Sequence, residues 1–168
     1  MLFRSLGAGN IAGAPLSQHP EIDMVSFTGG LVTGRKIMES ASKTVKKIAL
    51  ELGGKNPNIV FSDADLDAAI DNALTAVFLH SGQVCSAGAR LLVEENIHDD
   101  FVNEVSRRAD LIRLGSPQDA LAETGALISE NHRQKVESYV AQALSEGAKL
   151  RAGGKRPSES YLQDGFLD

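Results

Sequence analysis

The 168-residue sequence has a single cysteine, Cys85, and no apolar run near the length that a helix needs to span a bilayer. One cysteine excludes an intramolecular disulfide, and without a signal-like start a reducing, cytoplasmic setting is expected. The 17 Lys and Arg residues are outnumbered by 22 Asp and Glu and form no basic run, so no nucleic-acid or membrane partner is expected. The four histidines are too dispersed for a metal-ligand pattern, and no second cysteine is available for zinc.

The composition, with 42% hydrophobic and 23% charged residues, is typical of a globular protein with a buried core. Apolar periodicity predicts strands at residues 24–27, 45–50, 58–61 and 89–93, and helices at residues 31–42, from 66 to near His80 and Gly82, at 101–112 and at 129–147. This alternation predicts an α/β fold built from parallel βαβ units. A change of domain is expected near Gly53 and Gly54, where one strand-helix-strand unit finishes.

Cys85 is predicted to lie in the turn between the helix that begins at Leu66 and the strand at 89–93, among residues of little side-chain bulk. A thiol becomes a nucleophile when positive charge or exposed backbone N–H groups favour its thiolate. Ser86, Ala87 and Gly88 are small enough to leave their amides open to an oxyanion. Tight packing around a small buried thiol explains the same residues equally well.

Glu51 is the second candidate, because it ends an apolar strand beside a Gly-Gly pair, and α/β proteins place their sites at strand ends. A carboxylate there acts as a general base if desolvation raises its pKa. The alternative is an exposed glutamate that only ends a strand. Thr28-Gly29-Gly30, with Gly34, is a strand-to-helix glycine turn whose N–H groups could face a phosphate. Its spacing is not G-x-G-x-x-G, and a tight turn demands glycine with or without a nucleotide.

Three segments together closely resemble the aldehyde dehydrogenase superfamily, in which they occur in the same order. They are Phe27-Thr28-Gly29-Gly30, Glu51-Leu52-Gly53-Gly54-Lys55-Asn56-Pro57 and Gly82-Gln83-Val84-Cys85. The resemblance runs from about Gly13 to Phe166. It implies that residues 1–53 are the C-terminal part of a Rossmann-like NAD(P)-binding domain and that residues 54–168 begin a truncated α/β catalytic domain.

The resemblance also implies a reaction. The Cys85 thiolate adds to an aldehyde, the thiohemiacetal passes hydride to NAD or NADP, with NAD favoured, and Glu51 activates the water that hydrolyses the thioester. The backbone N–H of Cys85 helps to hold the oxyanion. The implied cofactor-binding residues are Gly29, Gly30, Leu52 and Gly53. The Phe-Thr-Gly-Gly form, with Gln-Val-Cys-Ser-Ala-Gly after it, looks most like the betaine aldehyde dehydrogenase branch, and the parent enzyme is expected to be a homo-oligomer.

The sequence departs from the family pattern at Gly30, where many members have a serine that contacts a cofactor phosphate. The family's asparagine oxyanion donor and adenosine-ribose lysine belong upstream of this chain, and its nicotinamide-ribose segment belongs downstream. Gly165-Phe166-Leu167 reads as the start of another element, so the chain is expected to be a fragment that oxidises no aldehyde alone. Two rival hypotheses remain: a cofactor-independent cysteine hydrolase or acyltransferase with a histidine at Cys85, and a structural fragment with an inert thiol.

Overall fold

The computed structural model describes residues 4–157. Its elements separate into two compact units, the first ending at Gly54 and the second beginning at Lys55. The roles expected of residues 1–53 and 54–168, cofactor domain and catalytic domain, stay predictions. The element expected to start at Gly165 lies outside the described residues.

The first unit is one strand-helix-strand motif preceded by a short helical segment. A π-helical turn, Gly9–Gly13, runs into helix α1 (Ala14–Gln18). Strand β1 (Met24–Gly29), helix α2 (Leu31–Ser42) and strand β2 (Lys47–Leu52) follow. The two strands pair in parallel, from Met24 opposite Lys47 to Gly29 opposite Leu52. The predicted helix at residues 31–42 and the parallel βαβ unit are confirmed, whereas α1 was not predicted.

The strand predicted at residues 45–50 is wrong at both ends. Val45 has a φ of 55° and is 89% exposed, and its N–H donates to the carbonyl oxygen of Ser42 at 3.3 Å in the turn that follows α2. A left-handed residue cannot start a strand, so pairing begins at Lys47. Glu51 and Leu52 are therefore the last two residues of β2.

The second unit repeats the motif and adds helices. Strand β3 (Pro57–Val60), helix α3 (Leu66–Phe78) and strand β4 (Arg90–Val93) form its parallel βαβ unit, with Pro57 opposite Arg90 and Val60 opposite Val93. Helices α4 (His98–Ala109) and α5 (Glu130–Ser145) follow. None of the helices in the described part of the chain is both long and apolar enough to cross a membrane.

Local capping explains which helix boundaries could be predicted. The Asp65 carboxylate accepts from the N–H of Ala68 at 3.1 Å, and the Ser129 hydroxyl accepts from the N–H of His132 at 3.2 Å. These caps satisfy N–H groups that the first turn of a helix leaves free. The helix expected at residues 101–112 instead begins at His98, since acidic residues in its first turn favour the positive end of the helix dipole.

The core of the second unit lies where α3 and α4 pack on the β3–β4 sheet. Its buried members are Val60, Ile70, Ala73 and Phe101. Phe101 is only 1% exposed and is the largest fully buried side chain among the described residues. Burial of a side chain of this size contributes about 1.5–3 kcal/mol. The core therefore fixes α3, the helix that leads into the segment with Cys85.

An ion-pair network joins α4 to α3 at the surface. The guanidinium of Arg108 donates to Asp71 and Asp67 of α3, both at 2.6 Å, and to Glu104 of its own helix at 2.7 Å. Hydrogen bonds from Arg107 and then Arg108 lower the pKa of Glu104 to about 2. The network holds the two helices in register at the edge of the core.

Candidate active site

Cys85 lies in a turn between α3 and β4, and its side chain is exposed. After Phe78, the last residue of α3, the chain makes a 3₁₀ turn over Leu79–Gly82. The N–H of Ala87 donates to the carbonyl oxygen of Val84 at 3.1 Å and closes a tight turn around the cysteine. This exposure disagrees with the alternative that Cys85 is a small core residue, because the thiol is accessible to a substrate.

Only some of the amides expected at an oxyanion are free to serve there. The N–H of Ala87 is bonded to Val84, and the N–H of Gly88 donates to the carbonyl oxygen of Ala76 in α3 at 3.2 Å. The prediction that the amides of Ala87 and Gly88 stay open is therefore wrong. Within residues 4–157, the N–H groups of Cys85 and Ser86 donate to no protein oxygen, so these two amides remain available to a ligand.

Close packing accounts for the glycine at position 88. A Cβ there would lie 3.1 Å from the Cβ of Asn58 on β3 and 3.4 Å from the Cβ of Ala76 on α3. The glycine lets the chain pass between the strand and the helix after the cysteine. Part of the small-residue pattern around Cys85 thus serves packing, as the alternative interpretation proposed.

The segment leading to Cys85 has an unusual backbone. His80, Ser81 and Gly82 have φ values of 51°, 57° and 74°, three successive left-handed residues of which only one is glycine. The last residue of α3, Phe78, lies two residues before His80. The hydroxyls of Ser81 and Thr124 lie 2.7 Å apart, and this hydrogen bond ties the segment to the loop after α4.

Asn56 is a residue of the site that sequence reasoning missed. It directly precedes β3, and its side-chain Nδ2 donates to the carbonyl oxygen of Cys85 at 3.3 Å. Its own carbonyl oxygen accepts from the N–H of Arg90 at 3.1 Å, at the start of β4. The signal was present in the sequence, since Asn56 belongs to the motif that contains Glu51.

Glu51 lies one residue before the end of β2 and is exposed, which is also what the alternative interpretation expects. It belongs to the first unit, and Cys85 belongs to the second. Their meeting across one crevice, on which the implied reaction depends, stays a prediction.

The predicted cofactor residues surround the C-terminal ends of β1 and β2. A Cβ on Gly29 would overlap Cζ of Phe27, so a side chain there would require the Phe27 ring to move, whereas Gly30 and Gly53 have no atom within 4 Å of that position. Gly30 is the N-cap of α2, whose first N–H groups lack helical partners. The side chain of Leu52 points at α2, where its Cδ2 lies 3.0 Å from the Cβ position of Gly34.

Gly34 does not serve as the phosphate contact suggested by the sequence. It is buried within α2, and its N–H donates to the carbonyl oxygen of Gly30 at 3.1 Å. Because the Cβ position is filled by Leu52, the glycine allows α2 to lie close to β2. Gly34 therefore serves the packing of the strand-helix-strand motif.

A cleft of about 800 Å³ lies within the first unit and is lined by residues of α1, β1 and α2. Its lining includes Gly9, Gly13, Thr33, Ile37 and Phe27. Gly9 and Gly13 have no atom within 4 Å of a would-be Cβ, so they leave space rather than fill it. A concave, mostly apolar cleft with a few polar groups is the usual form of a small-molecule site. The first unit therefore has a concave surface with room for a small molecule.

Two other kinds of site find no support in the described part of the chain. No histidine there hydrogen-bonds the sulfur of Cys85, which is the partner that the hydrolase hypothesis requires. Among residues 4–157, no group of three His, Cys, Asp or Glu side chains could hold a metal ion.

Comparison with known proteins identifies what the chain is similar to. The sequence model of the Aldehyde dehydrogenase family matches residues 3–167. Betaine aldehyde dehydrogenase of Bacillus subtilis is 60% identical over 162 residues, which are 96% of this chain and 33% of that protein. For 4-trimethylaminobutyraldehyde dehydrogenase B of Danio rerio the identity is 46%, over 98% of this chain and 32% of that protein.

Solved structures agree with these relatives. Betaine aldehyde dehydrogenase from Staphylococcus aureus in complex with NAD+ superposes with a TM-score of 0.92 at 51% identity, covering 96% of this chain and 32% of that one. A double mutant of the same enzyme, in complex with NAD+, has a BME-modified cysteine and gives the same TM-score. The chain spans about a third of the length of these relatives. The resemblance drawn from the three motifs and the α/β fold are confirmed.

Proposed function

The chain belongs to the aldehyde dehydrogenase family, and we propose that it is a central segment of an enzyme that oxidises a small aldehyde to the carboxylic acid with NAD+. The observation that carries the proposal is the exposed thiol of Cys85, the only cysteine of the chain, in a turn with two free backbone amides. Nucleophilic catalysis by a thiol requires this combination of access and of donors for the developing oxyanion.

In the proposed reaction, Cys85 forms a bond from its sulfur to the aldehyde carbon, and the N–H groups of Cys85 and Ser86 face the oxygen. The bound NAD+ supplies the acceptor for the hydride that leaves this carbon. Glu51 then takes a proton from water, which attacks the thioester and releases the acid and the Cys85 thiol. A carboxylate is a suitable base for this step, since it can take the proton that the attacking water loses and return it as the Cys85 sulfur departs.

Residues of the first unit are proposed to hold the cofactor. Gly29, Gly30, Leu52 and Gly53 lie at the strand ends, and the open positions at Gly30 and Gly53 allow a ligand to approach the backbone. The cleft beside α2 has room for a nucleoside, and helix N-termini suit phosphate groups. Because Gly30 has no side chain, its phosphate contact would come from backbone N–H groups at the start of α2.

The substrate class is proposed from the relatives. Their names include betaine aldehyde, 4-trimethylaminobutyraldehyde and aminoaldehyde, which are aldehydes that carry a nitrogen group. We propose a small aldehyde with a cationic nitrogen, with betaine aldehyde as the first candidate. We further propose that the enzyme acts as a homo-oligomer in the cytoplasm.

The test is NADH formation by the full-length enzyme that contains this segment. Betaine aldehyde should be oxidised with a higher kcat/KM than an uncharged aldehyde of the same size. Cys85→Ala should abolish turnover, and Glu51→Gln should let the first NADH form while slowing hydrolysis of the thioester. Full activity of Cys85→Ala would refute the proposal. The 168-residue chain alone should oxidise no aldehyde, and NAD-dependent turnover by it would refute the expectation that the fragment is inactive.

A further inference from the structure

Asn56 makes the one hydrogen bond that the backbone of Cys85 forms with another part of the described chain. Its Nδ2 donates to the carbonyl oxygen of Cys85 across 29 positions of sequence, at 3.3 Å. The other bonds of the turn start from neighbouring residues, such as the N–H of Ala87 to Val84 and the N–H of Gly88 to Ala76. The orientation of the cysteine peptide itself therefore depends on Asn56.

Asn56 is well fixed for this purpose. It is followed by Pro57, and a residue before proline is restricted to extended backbone conformations. Its carbonyl oxygen accepts from the N–H of Arg90, which begins the β3–β4 ladder. The donor thus stands at the residue before β3, next to the first pair of the β3–β4 ladder, whereas the acceptor stands in a turn.

The planarity of the peptide bond extends the effect to the next residue. In a trans peptide, the carbonyl of Cys85 and the N–H of Ser86 point in opposite directions. When Asn56 holds the carbonyl, the N–H of Ser86 is turned to the other side of the peptide. Within residues 4–157, that N–H donates to no protein oxygen, so it is free to face a reacting group.

We propose that Asn56 is a positioning residue for the nucleophile, which holds the Cys85 carbonyl and so fixes the turn that presents the Cys85 sulfur. The inference rests on the proposed function, and it adds a residue that acts through the backbone of Cys85. Asn56 itself does not contact the aldehyde. Its contribution is to fix the turn before the reaction begins.

The test compares Asn56→Ala with Asn103→Ala in the full-length enzyme that contains this segment. Asn103 is an exposed residue of α4 with no side-chain hydrogen bond within the described residues, so it controls for the loss of an amide. Loss of one hydrogen bond of about 1 kcal/mol corresponds to a decrease of about fivefold in rate. We expect Asn56→Ala to lower kcat by about fivefold to tenfold, with less than a twofold change in KM for the aldehyde. Asn103→Ala should change neither.

Two further variants separate positioning from general support of the fold. Asn56→Ser keeps a donor of shorter reach and should recover part of kcat, whereas Asn56→Asp loses the donor and should be slower than Asn56→Ala. All rates are divided by the number of Cys85 thiols that iodoacetamide titrates in the native enzyme. A kcat per titrated thiol within twofold of the unsubstituted enzyme for Asn56→Ala would overturn the proposal.

A second measurement does not depend on turnover. Backbone amide exchange of Ala87 and Gly88 should become at least fivefold faster in Asn56→Ala than in Asn103→Ala, because the turn loses its anchor. Unchanged exchange at both amides would overturn the proposal even if the rate falls. Failure of the proposed function itself would be recognised separately, as full activity of Cys85→Ala.

Discussion

The left-handed backbone at His80 predicts that glycine at this position is more stabilising than alanine, which is opposite to the effect of glycine within a helix. His80 has a φ of 51° and an exposed side chain with no hydrogen bond in the described structure. A residue with a Cβ loses about 1–2 kcal/mol in this conformation, whereas glycine does not. Glycine also raises the entropy of the unfolded chain, which costs about 0.4–1 kcal/mol. The difference leaves His80→Gly about 1 kcal/mol more stable than His80→Ala.

The same pair of substitutions in a helix supplies the control. Asn103 lies in the middle of α4, where glycine is less stable than alanine by about 1 kcal/mol. The free energy of unfolding should therefore rise from alanine to glycine at position 80 and fall from alanine to glycine at position 103. The change in unfolding free energy from alanine to glycine should therefore differ by about 2 kcal/mol between position 80 and position 103.

Urea unfolding of the four variants, followed by circular dichroism, measures these differences. Comparing alanine with glycine at each position removes the contribution of the original side chain from the result. If His80→Gly is less stable than His80→Ala by as much as the Asn103 pair, the backbone before Cys85 does not have the left-handed conformation described here.

Three other perturbations test the contacts around the nucleophile segment and its supporting core. Phe101→Ala should lower the free energy of unfolding by about 3–5 kcal/mol, as measured by urea unfolding, because it leaves a cavity between α3 and α4, and Phe101→Leu should cost less. Thr124→Val should cost about 1–3 kcal/mol in the same assay, because the Ser81 hydroxyl loses its partner, whereas Thr124→Ser should retain most of the stability. The pKa of Glu104 is lowered to about 2 in the folded chain, so the unfolded chain binds more protons between its usual pKa, near 4.5, and 2. Its contribution to stability is therefore present above about pH 4.5 and is lost as the pH falls toward 2, and unfolding across this range should show a smaller loss for Glu104→Gln.

The elements that the sequence predicted well are those fixed by local interactions. Helix α3 has its apolar spacing, its first-turn carboxylate and its Asp65 cap close together in sequence, so its start could be predicted, whereas its end was expected near His80 and Gly82 and lies at Phe78. The predicted start of β2 was wrong because the left-handed residue in the preceding turn is Val45, whereas a glycine there would have indicated a turn. A valine in that conformation is rare, and the apolar periodicity of the sequence assigns Val45 to a strand.

The parts of the candidate site that escaped prediction depend on contacts distant in sequence. The hydrogen bond between Ser81 and Thr124 joins residues 43 positions apart, and neither residue type has a spacing that signals a partner. Asn56 lies in the motif that contains Glu51, but Gly53 and Gly54 of the same motif favour a close approach to a ligand, and nothing in the motif indicates a contact with Cys85. Only the parallel pairing of β3 with β4 brings the start of β3 next to the turn at Cys85.

The small residues after Cys85 show why composition alone could not separate catalysis from packing. Gly88 suits this place because a Cβ there would lie 3.1 Å from the Cβ of Asn58, which is a tight contact, and its N–H is bonded to the carbonyl oxygen of Ala76 in α3. That bond anchors the far end of the turn, while the amides of Cys85 and Ser86 at its tip remain free. Packing at one end and open donors at the other are thus parts of one arrangement. A nucleophile that needs preorganised donors requires a turn whose remaining amides are already bonded, because only a fixed turn can hold its free amides toward the reacting oxygen.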